Sequence, residues 1–504
     1  MPAKFDKPIN PMLLTDFYKV CHKAFYNNDI SQLISYWTPR KSRLAGIDDV
    51  VVFGLQAFAK KYLIDYFNVN FFEKPWEENE KAFCDVIGAS LDEDIAKYQA
   101  EAFRELWELG YLPIEICALP EGTLVPIGCP AIQFKCTKPE FFWVAEYFET
   151  LTSCNIWFPM TDATIAYHSR KILDKFYDLT AEDSAVRCMG AGNFSMRGMT
   201  SVESAPMGDA GHLLSFESTA TIPTLWWLHC FYNTDFTAAR GTPSTEHSVM
   251  ESYRPENEFE AYRRLVEDIK PNGNLSIVSD TWDLWNVVTN YLPRLKDSIL
   301  KRDGKIIIRP DSGDPVDILC GKPDADGKAE RTPEDKGLIE LLWEVFGGTV
   351  NSKGHKVLDP HIGAIYGDAI THEREREIFT RLMEKGFAAN NVVLGFGSYT
   401  YQLVTRDTFG FALKVTAGTI DGEEVELFKD PITDKGPNSA GKKSQKGVCV
   451  VYHDEHGNIK YQDGYRESES AGDARNLLRP MFRDGELLVD EHFDTIRNRL
   501  HPNF

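Results

Sequence analysis

Several common sequence signatures are missing from this chain of 504 residues. No run of about 18 apolar residues occurs, so the sequence predicts no transmembrane helix. The first residues lack the apolar segment that a secretory signal needs. Ten cysteines are present without any C-x-x-C pair, which in a chain of this length indicates reduced, mostly buried thiols. We therefore expect a globular protein of the cytoplasm.

The fingerprints of several enzyme classes are also missing. No H-E-x-x-H or H-x-x-x-H pattern occurs, which argues against a zinc site. No G-x-S-x-G, P-loop or G-x-G-x-x-G motif occurs either. These absences weaken assignments as a serine hydrolase, a P-loop kinase or a nicotinamide-cofactor dehydrogenase.

Positive charge is in short supply. Lys and Arg number 55 against 76 Asp and Glu, a net charge of −21. Such a balance repels nucleic acids and anionic membranes, and we expect neither as a partner. A small anionic substrate remains possible, because screening over roughly 8–10 Å allows a few converging Arg and Lys side chains to act locally.

The middle of the chain repeats one pattern: a short apolar strand, a polar or glycine-rich turn, then a helix. The predicted strands are residues 275–278, 305–308, 363–366 and 391–394. Continuous apolar strands followed by helices indicate a parallel α/β architecture. Polar residues follow several different strands, which favours a barrel, although an open sheet would also place ligands at the carboxyl ends of its strands.

The turns after these strands contain the candidate functional residues. Arg309 and Asp311 follow one strand in the run Arg-Pro-Asp-Ser-Gly; they suit an anionic substrate, or they pair only with each other. Gly367–Asp368 and Gly395–Ser398 could bring backbone N–H groups to a phosphate, although most glycine turns are only tight connections. His247 lies in a polar run and, taken alone, reads as an ordinary surface histidine.

Taken together, the motifs resemble the nicotinamide phosphoribosyltransferases, within the type II phosphoribosyltransferases. The matching segments occur in the family's order from residue 14 to residue 431. They are residues 14–20, 36–40, 194–198, 245–248, 276–280, 307–313, 366–368, 405–407 and 428–431.

The resemblance implies a reaction of nicotinamide with phosphoribosyl pyrophosphate that gives nicotinamide mononucleotide and pyrophosphate. It also implies ATP as a co-substrate that phosphorylates His247, and Mg²⁺ bound mainly through substrate phosphates, with protein ligands unknown. Arg309 and Asp311 would join His247 as catalytic residues. The implied substrate-binding residues are Asp16, Tyr18, Arg40, Phe194, Arg197, Asp280, Gly367, Asp368, Gly397, Ser398, Arg406, Lys414 and Lys429.

The same resemblance implies an atypical α/β barrel over residues 156–414. Residues 1–155 and 415–504 would form one discontinuous α+β domain around it. A homodimer with shared active sites is also implied, in which Phe194 and Tyr18 enclose the pyridine ring and Asp16 and Tyr18 come from the other subunit. Two segments, residues 320–333 and 436–447, are expected to be surface loops.

The sequence departs from the family pattern at three places: at Ala220, in the glycine-rich turn and in residues 320–333, which are expected to be peripheral. Ala220 replaces an aspartate that, in the vertebrate-like members, favours nicotinamide and repels nicotinate. Ser398 and Tyr399 replace glycines. A nicotinate phosphoribosyltransferase is therefore the nearest alternative. More distant alternatives are a barrel glycoside hydrolase, which needs two carboxylates about 5–10 Å apart, and a binding protein without catalysis.

Overall fold

The computed structural model describes residues 8–182, 186–323, 330–432, 444–502 and 504. Parts of both expected surface loops, residues 324–329 and 436–443, lie outside the described residues. The chain divides into two compact units. Unit 1 comprises residues 1–161, 229–233 and 405–503, and unit 2 comprises residues 162–228, 234–404 and 504. The predicted domain boundaries, at 155/156 and 414/415, stay a prediction beside this division.

Unit 1 is built on a seven-stranded antiparallel sheet in which three N-terminal strands lie between two pairs of C-terminal strands. Its strands in order along the chain are β1 Ile30–Thr38, β2 Asp49–Val51, β3 Ile114–Ala118, β4 Leu124–Pro126 and β5 Ile132–Cys136, then β14 Ala412–Ile420, β15 Glu423–Glu426, β16 Val448–His453, β17 Ile459–Tyr465, β18 Arg479–Arg483 and β19 Glu486–Leu487. The large sheet has the order β15-β14-β1-β5-β3-β18-β19. The expected discontinuous α+β domain is therefore confirmed.

Helices with aromatic side chains pack in the core of unit 1. Phe71, Phe83, Phe103, Trp143 and Tyr147 are all buried in one hydrophobic cluster. The helices of eight or more residues are Ala59–Tyr66, Trp76–Ser90, Glu93–Leu109 and Phe493–Leu500, together with Glu149–Thr180, which continues past the division at 161/162. The last helix begins at Phe493, because the His492 side chain accepts a hydrogen bond from the Asp494 N–H and caps it.

Unit 2 contains a parallel sheet. Its strands are β6 Ala191–Asn193, β7 Ser218–Thr219, β8 Leu275–Val278, β9 Ile306–Arg309, β12 Ile362–Tyr366 and β13 Val392–Phe396; the short hairpin β10 Gly348–Val350 and β11 Lys356–Leu358 lies apart. The sheet order is β7-β6-β13-β12-β9-β8, and every pairing in it is parallel. The four strands predicted from the sequence correspond to β8, β9, β12 and β13.

The segment 240–245 closes this sheet into a barrel. Arg240 forms a parallel bridge to Ser218 in β7, and Ser244 forms one to Ser276 in β8. The Thr245 N–H also donates to the Ser276 carbonyl at 3.0 Å. Because β7 and β8 are the two edges of the sheet, this segment, which we call the closing segment, completes the ring of strands. The predicted barrel is therefore confirmed.

Helices follow the barrel strands as the sequence pattern predicted. Those of eight or more residues are Ser204–Leu213, Ile222–Tyr232, Leu292–Lys301, Leu338–Phe346 and His372–Glu384. Thr371 caps the last of these by accepting the Arg374 N–H, and Gly386 follows its end with φ of +75°. Within the described residues, no helix combines the length and apolar character needed to cross a bilayer.

Candidate active site

The strand register of the barrel separates its wall into two faces. Gly192 in β6 is paired with Ser218 in β7, and Ser218 is paired with Arg240 in the closing segment, so the three residues share one face. Thr219, the next residue of β7, faces the opposite side, where its hydroxyl donates to Asp209 of the helix Ser204–Leu213. The helices surround the barrel, so we call the Gly192 side the inner face and the buried polar groups on the helix side the outer layer.

Phe194 lies on the inner face in space provided by glycines. A Cβ atom on Gly395 would be 2.6 Å from the Phe194 ring, and one on Gly192 would be 3.5 Å from its Cζ. A Cβ on Gly367 would lie 3.9 Å from the same ring. Contacts below about 3.0 Å are not tolerated, so Gly395 must remain without a side chain for the ring to lie there. The result is a half-buried aromatic surface at the barrel mouth.

Asp280 connects two of the strand-end turns. Its Oδ2 accepts hydrogen bonds from the Asp311 N–H at 2.8 Å, the Ser312 N–H at 2.7 Å and the Ser312 hydroxyl at 2.6 Å. Its Oδ1 is buried without a hydrogen bond to any described residue. One oxygen therefore fixes the Arg309–Gly313 turn, and the other remains available.

His247 is adjacent to that available oxygen. Its Nε2 is 3.9 Å from Asp280 Oδ1, and its Nδ1 is 3.1 Å from the Thr281 hydroxyl. The imidazole is 41% exposed, whereas the Asp280 side chain is only 6% exposed. The structure thus brings His247 to the barrel mouth beside a buried carboxylate, which sequence pattern alone did not indicate.

Arg309 is the last residue of β9, and a hydrogen bond to the closing segment holds its side chain. Its Nη2 donates to the Thr245 carbonyl at 2.9 Å, and its Nε is buried without a hydrogen bond within the described part of the chain. No ion pair within 4.0 Å joins Arg309 to Asp311 in the described residues, so the alternative that they serve only each other is wrong. The guanidinium keeps donors for a ligand.

Several carboxylates face this end of the barrel. The buried Tyr366 hydroxyl donates to the Gly313 carbonyl at 2.8 Å. Burial raises the pKa of Tyr366 far above its usual range, and the negative charges of Asp368, Asp280, Asp311 and Asp314 raise it further. The mouth therefore combines acidic groups with the Arg309 cation.

The turn that contains Arg197 packs against the turn after β13. A Cβ on Gly198 would lie 2.1 Å from Ser398 Oγ, and the Thr200 N–H donates to the Gln402 side chain at 3.1 Å. Arg197 itself is exposed. Gly397 precedes the short helix Ser398–Tyr401, and a Cβ there would have open space around it. Ser398, one of the departures from the family pattern, thus buttresses the Arg197 turn.

The other predicted binding residues belong to unit 1. Asp16 accepts a hydrogen bond from the Thr150 hydroxyl at 2.7 Å, and Tyr18 is 59% exposed. Arg40 donates through Nε to the Gly410 carbonyl at 3.0 Å, which brings it to the turn after Arg406. The two lysines are exposed, one on β14 and one after β15: Lys414 and Lys429.

Two features of the barrel were missed in the sequence. Asp209 is completely buried, and its Oδ2 accepts the Thr219 hydroxyl at 2.8 Å. Burial raises the pKa of Asp209 to about 7, while the Thr224, Thr219 and Asn193 side chains oppose the rise. The second feature is the closing segment, residues 240–245, in which Gly241 and Pro243 interrupt any strand pattern. An aspartate in a helix normally indicates a solvated face, so no signal distinguished Asp209.

The described residues contain no cluster of three His, Cys, Asp or Glu side chains that could enclose a metal ion. Mg²⁺ commonly binds through one or two carboxylates and the substrate's phosphates. The free Asp280 Oδ1 and the neighbouring Asp311 fit that mode of binding. The ten cysteines are free thiols, but only five of them are buried, fewer than the sequence led us to expect.

Two family models match this chain. The model described as "Nicotinate phosphoribosyltransferase (NAPRTase) family" matches residues 190–481, and "Nicotinamide phosphoribosyltransferase, N-terminal domain" matches residues 10–81. The first covers more than half of the sequence and includes the whole barrel mouth.

Curated relatives match along their whole length. A nicotinamide phosphoribosyltransferase of Acinetobacter baylyi is 39% identical over 98% of this chain and 97% of its own. Proteins of the same name from Mycoplasma pneumoniae and Xanthomonas campestris pv. campestris are 34% and 30% identical, over 87% and 97% of this chain and 96% and 97% of theirs.

Solved structures share the fold at low identity. A nicotinate-nucleotide pyrophosphorylase from Pyrococcus furiosus superposes with a TM-score of 0.59 at 14% identity, covering 99% of this chain and 96% of that one. Human nicotinic acid phosphoribosyltransferase gives a TM-score of 0.52 at 14% identity, covering 97% and 93%. The atypical barrel with its α+β partner domain is therefore a known architecture.

Proposed function

We propose that this chain, which belongs to the nicotinate phosphoribosyltransferase family, transfers the phosphoribosyl group of phosphoribosyl pyrophosphate to nicotinamide in NAD salvage. The observation that carries the proposal is the barrel mouth, where the Phe194 ring, Arg309 and the Asp280–Asp311 turn meet on one inner face. Relatives named nicotinamide phosphoribosyltransferase, up to 39% identical over 98% of the chain, support nicotinamide as the base.

The transfer breaks the bond between ribose C1′ and the pyrophosphate oxygen and forms one between C1′ and the pyridine nitrogen. Positive charge develops on the ribose as the pyrophosphate leaves with the bonding electrons. Phe194 would orient the ring, with Tyr18 on its other side, while Arg309 stabilises the leaving anion and Asp311 the ribosyl cation.

Phosphate binding is assigned to the remaining predicted residues. The strand-end turns of unit 2 would hold the ribose and its 5′-phosphate through Gly367, Asp368, Gly397 and Ser398, with Arg197 also lining the site. The cations of unit 1 would neutralise phosphate charge: Arg40, Arg406, Lys414 and Lys429. These roles follow from the resemblance and stay predictions.

His247 is proposed as the site at which ATP is coupled to the transfer. A ring nitrogen would form a P–N bond to the γ-phosphorus as the P–O bond to ADP breaks, and water would later hydrolyse the phosphohistidine. Two observations support this role: the 41% exposure of the imidazole, and Asp280 Oδ1 at 3.9 Å from Nε2, where the carboxylate would orient the ring.

Mg²⁺ is proposed to accompany the substrate phosphates and to neutralise the charge of the departing pyrophosphate. Asp280 and Asp311 are the residues that fit a supporting role, because their oxygens lie at the mouth and Asp280 Oδ1 has no partner among the described residues. The protein's share is to fix the Asp280 carboxylate through hydrogen bonds from the Asp311 N–H, the Ser312 N–H and the Ser312 hydroxyl.

We also propose a homodimer in the cytoplasm, with Asp16 and Tyr18 supplied to the other subunit's site. The exposure of Phe17 and Tyr18, 52% and 59%, supports a surface that becomes covered. A mixed dimer of Tyr18→Ala and Arg309→Ala subunits, each inactive alone, should regain activity in its one intact site. Absence of complementation would contradict the shared site.

The product assay tests the reaction itself. Purified protein with phosphoribosyl pyrophosphate, Mg²⁺ and nicotinamide should form nicotinamide mononucleotide, faster with ATP, and His247→Gln should remove only the stimulation by ATP. ³²P from γ-labelled ATP should label the wild type but not this variant. No nucleotide from nicotinamide or from nicotinate would overturn the proposed transfer, whereas stimulation that survives in His247→Gln would overturn only the role of His247.

A further inference from the structure

The strand register places one arginine on the same inner face as the base-binding ring. The Arg240 N–H donates to the Glu217 carbonyl at 2.8 Å, and the Thr219 N–H donates to the Arg240 carbonyl at 3.2 Å. Arg240 is therefore paired with Ser218, and paired residues of a parallel sheet point to the same side. Ser218 is in turn paired with Gly192.

That side is the one where Phe194 lies. A Cβ on Gly192 would be 2.9 Å from Ser218 Oγ and 3.5 Å from Phe194 Cζ, so these side chains share the face. At the other edge of the sheet, Ser244 of the same segment pairs with Ser276 of β8.

The charge of Arg240 is not neutralised within the described residues. Its side chain is exposed and has neither an ion pair within 4.0 Å nor a hydrogen bond there. Ala220 comes two residues after Ser218, so alternation along the chain predicts that it lies on the inner face as well. Its N–H donates to the Asn193 carbonyl at 2.9 Å, directly before Phe194. This edge of the site therefore presents a guanidinium and a methyl group, without a carboxylate at position 220.

We infer that Arg240 is a specificity-determining residue, which allows this chain to accept a pyridine with a carboxylate substituent beside the neutral carboxamide. A guanidinium binds a carboxylate through two parallel charge-assisted hydrogen bonds, and a carboxamide offers only one acceptor oxygen. The inference rests on the proposed transfer reaction and extends it to a second class of base.

The test is a competition between nicotinate and nicotinamide for limiting phosphoribosyl pyrophosphate, with both nucleotides quantified. Wild type should form both products. Arg240→Gln should lower the ratio of kcat/KM for nicotinate to that for nicotinamide by about tenfold or more, because the charge-assisted pair is lost. Arg240→Lys, which keeps the charge without the planar fork, should lower it less.

Two further variants keep the test decisive if Arg240→Gln folds poorly. Ala220→Asp should lower the same ratio by placing a repelling carboxylate beside Phe194. Lys171→Gln removes one positive charge from an exposed helix position and should leave the ratio unchanged. A wild type that uses nicotinamide but not nicotinate, or equal losses on both bases in Arg240→Gln, would overturn the inference. Failure of both bases in the wild type would instead overturn the proposed reaction.

Discussion

The inner face and the outer layer of the barrel wall use polar residues in opposite ways. On the inner face, Asp280 Oδ1 and Arg309 Nε make no hydrogen bond to a described residue, and the exposed His247 lies beside that carboxylate. In the outer layer, the His212 ring contacts the Tyr401 hydroxyl at 2.7 Å, and Ser169 donates to Glu375 at 2.8 Å, all buried. Polar atoms without hydrogen bonds at an exposed mouth indicate ligand binding, whereas the outer pairs are sealed from solvent and hold the wall in shape, even though Asp209 Oδ1 and Glu375 Oε1 also lack hydrogen bonds to described residues there.

The largest expected effect comes from the inner face. Arg309→Ala should lower kcat/KM for the transfer about 10³-fold, because it removes the cation that stabilises the departing pyrophosphate in a partly water-excluded site. The melting temperature should change little, since the side chain makes one hydrogen bond, to the Thr245 carbonyl. Steady-state kinetics and thermal unfolding of the same preparation measure both quantities.

The outer layer provides the matched control. Ser169→Ala removes the hydroxyl that donates to the buried Glu375 and should cost on the order of 1–2 kcal/mol of stability, with kcat/KM retained. If Arg309→Ala unfolds the protein, or if Ser169→Ala abolishes activity at unchanged stability, the division between the two faces would be refuted.

The same division explains what the sequence could predict. The strands β8, β9, β12 and β13 were recognisable because a parallel strand is buried on both sides and reads as one apolar run. Arg309 and Asp311 followed directly, since they end such a run. The closing segment was missed because Gly241 and Pro243 break the apolar pattern of a strand. Only its bridges to Ser218 and Ser276 reveal it.

Tertiary contacts account for the remaining omissions. The pairing of His247 with Asp280 spans two turns that are distant in sequence, and nothing local indicates it. Asp209 looked like a solvated helix residue, and its burial depends on Thr219 from the next strand. The two ends of the chain were expected to form one domain, but the position of three N-terminal strands between two pairs of C-terminal strands was not predicted, because short antiparallel strands carry no signal of their partners.

The outer layer should also give stability a pH dependence. The pKa of Asp209 is raised to about 7 in the folded chain, from an ordinary 3.8, so the folded state holds the proton more tightly than the unfolded state does. Its contribution to the free energy of unfolding is therefore fully present below pH 4 and is lost as the pH rises towards 7 and above, at about 1.4 kcal/mol per unit of pKa difference.

Asp209→Asn keeps an acceptor for the Thr219 hydroxyl but has no charge to bury. Relative to wild type, the variant should gain stability as the pH rises from 5 to 8, by a few kcal/mol in total. Urea unfolding at several pH values measures the difference. The raised carboxyl of Glu375 contributes equally to both proteins, whereas the Asp209 charge helps to raise the pKa of Asp162, so its removal adds to the expected gain. Parallel stability curves for the two proteins would show that Asp209 does not titrate in this range.

The smallest effect probes the contact between two inner turns. Gly198→Ala would bring a Cβ to 2.4 Å from Ser398 Cβ, so one turn must move and displace Arg197. Only side-chain atoms of Ser398 oppose the new methyl group within 3 Å, and shifting a surface turn is inexpensive. KM for phosphoribosyl pyrophosphate should therefore rise about tenfold at nearly unchanged stability.

Ser398→Gly provides the second arm of a double-mutant cycle. It removes the atoms that the methyl group would meet, so Gly198→Ala combined with Ser398→Gly should bind phosphoribosyl pyrophosphate nearly as well as Ser398→Gly alone. Additive losses would mean that the two turns do not act through this contact. If the effects of the two substitutions are coupled, Ser398 is tolerated, at a position where the family pattern has glycine, because residue 198 has no side chain. Positions 198 and 398 then belong to one packing arrangement of the inner face.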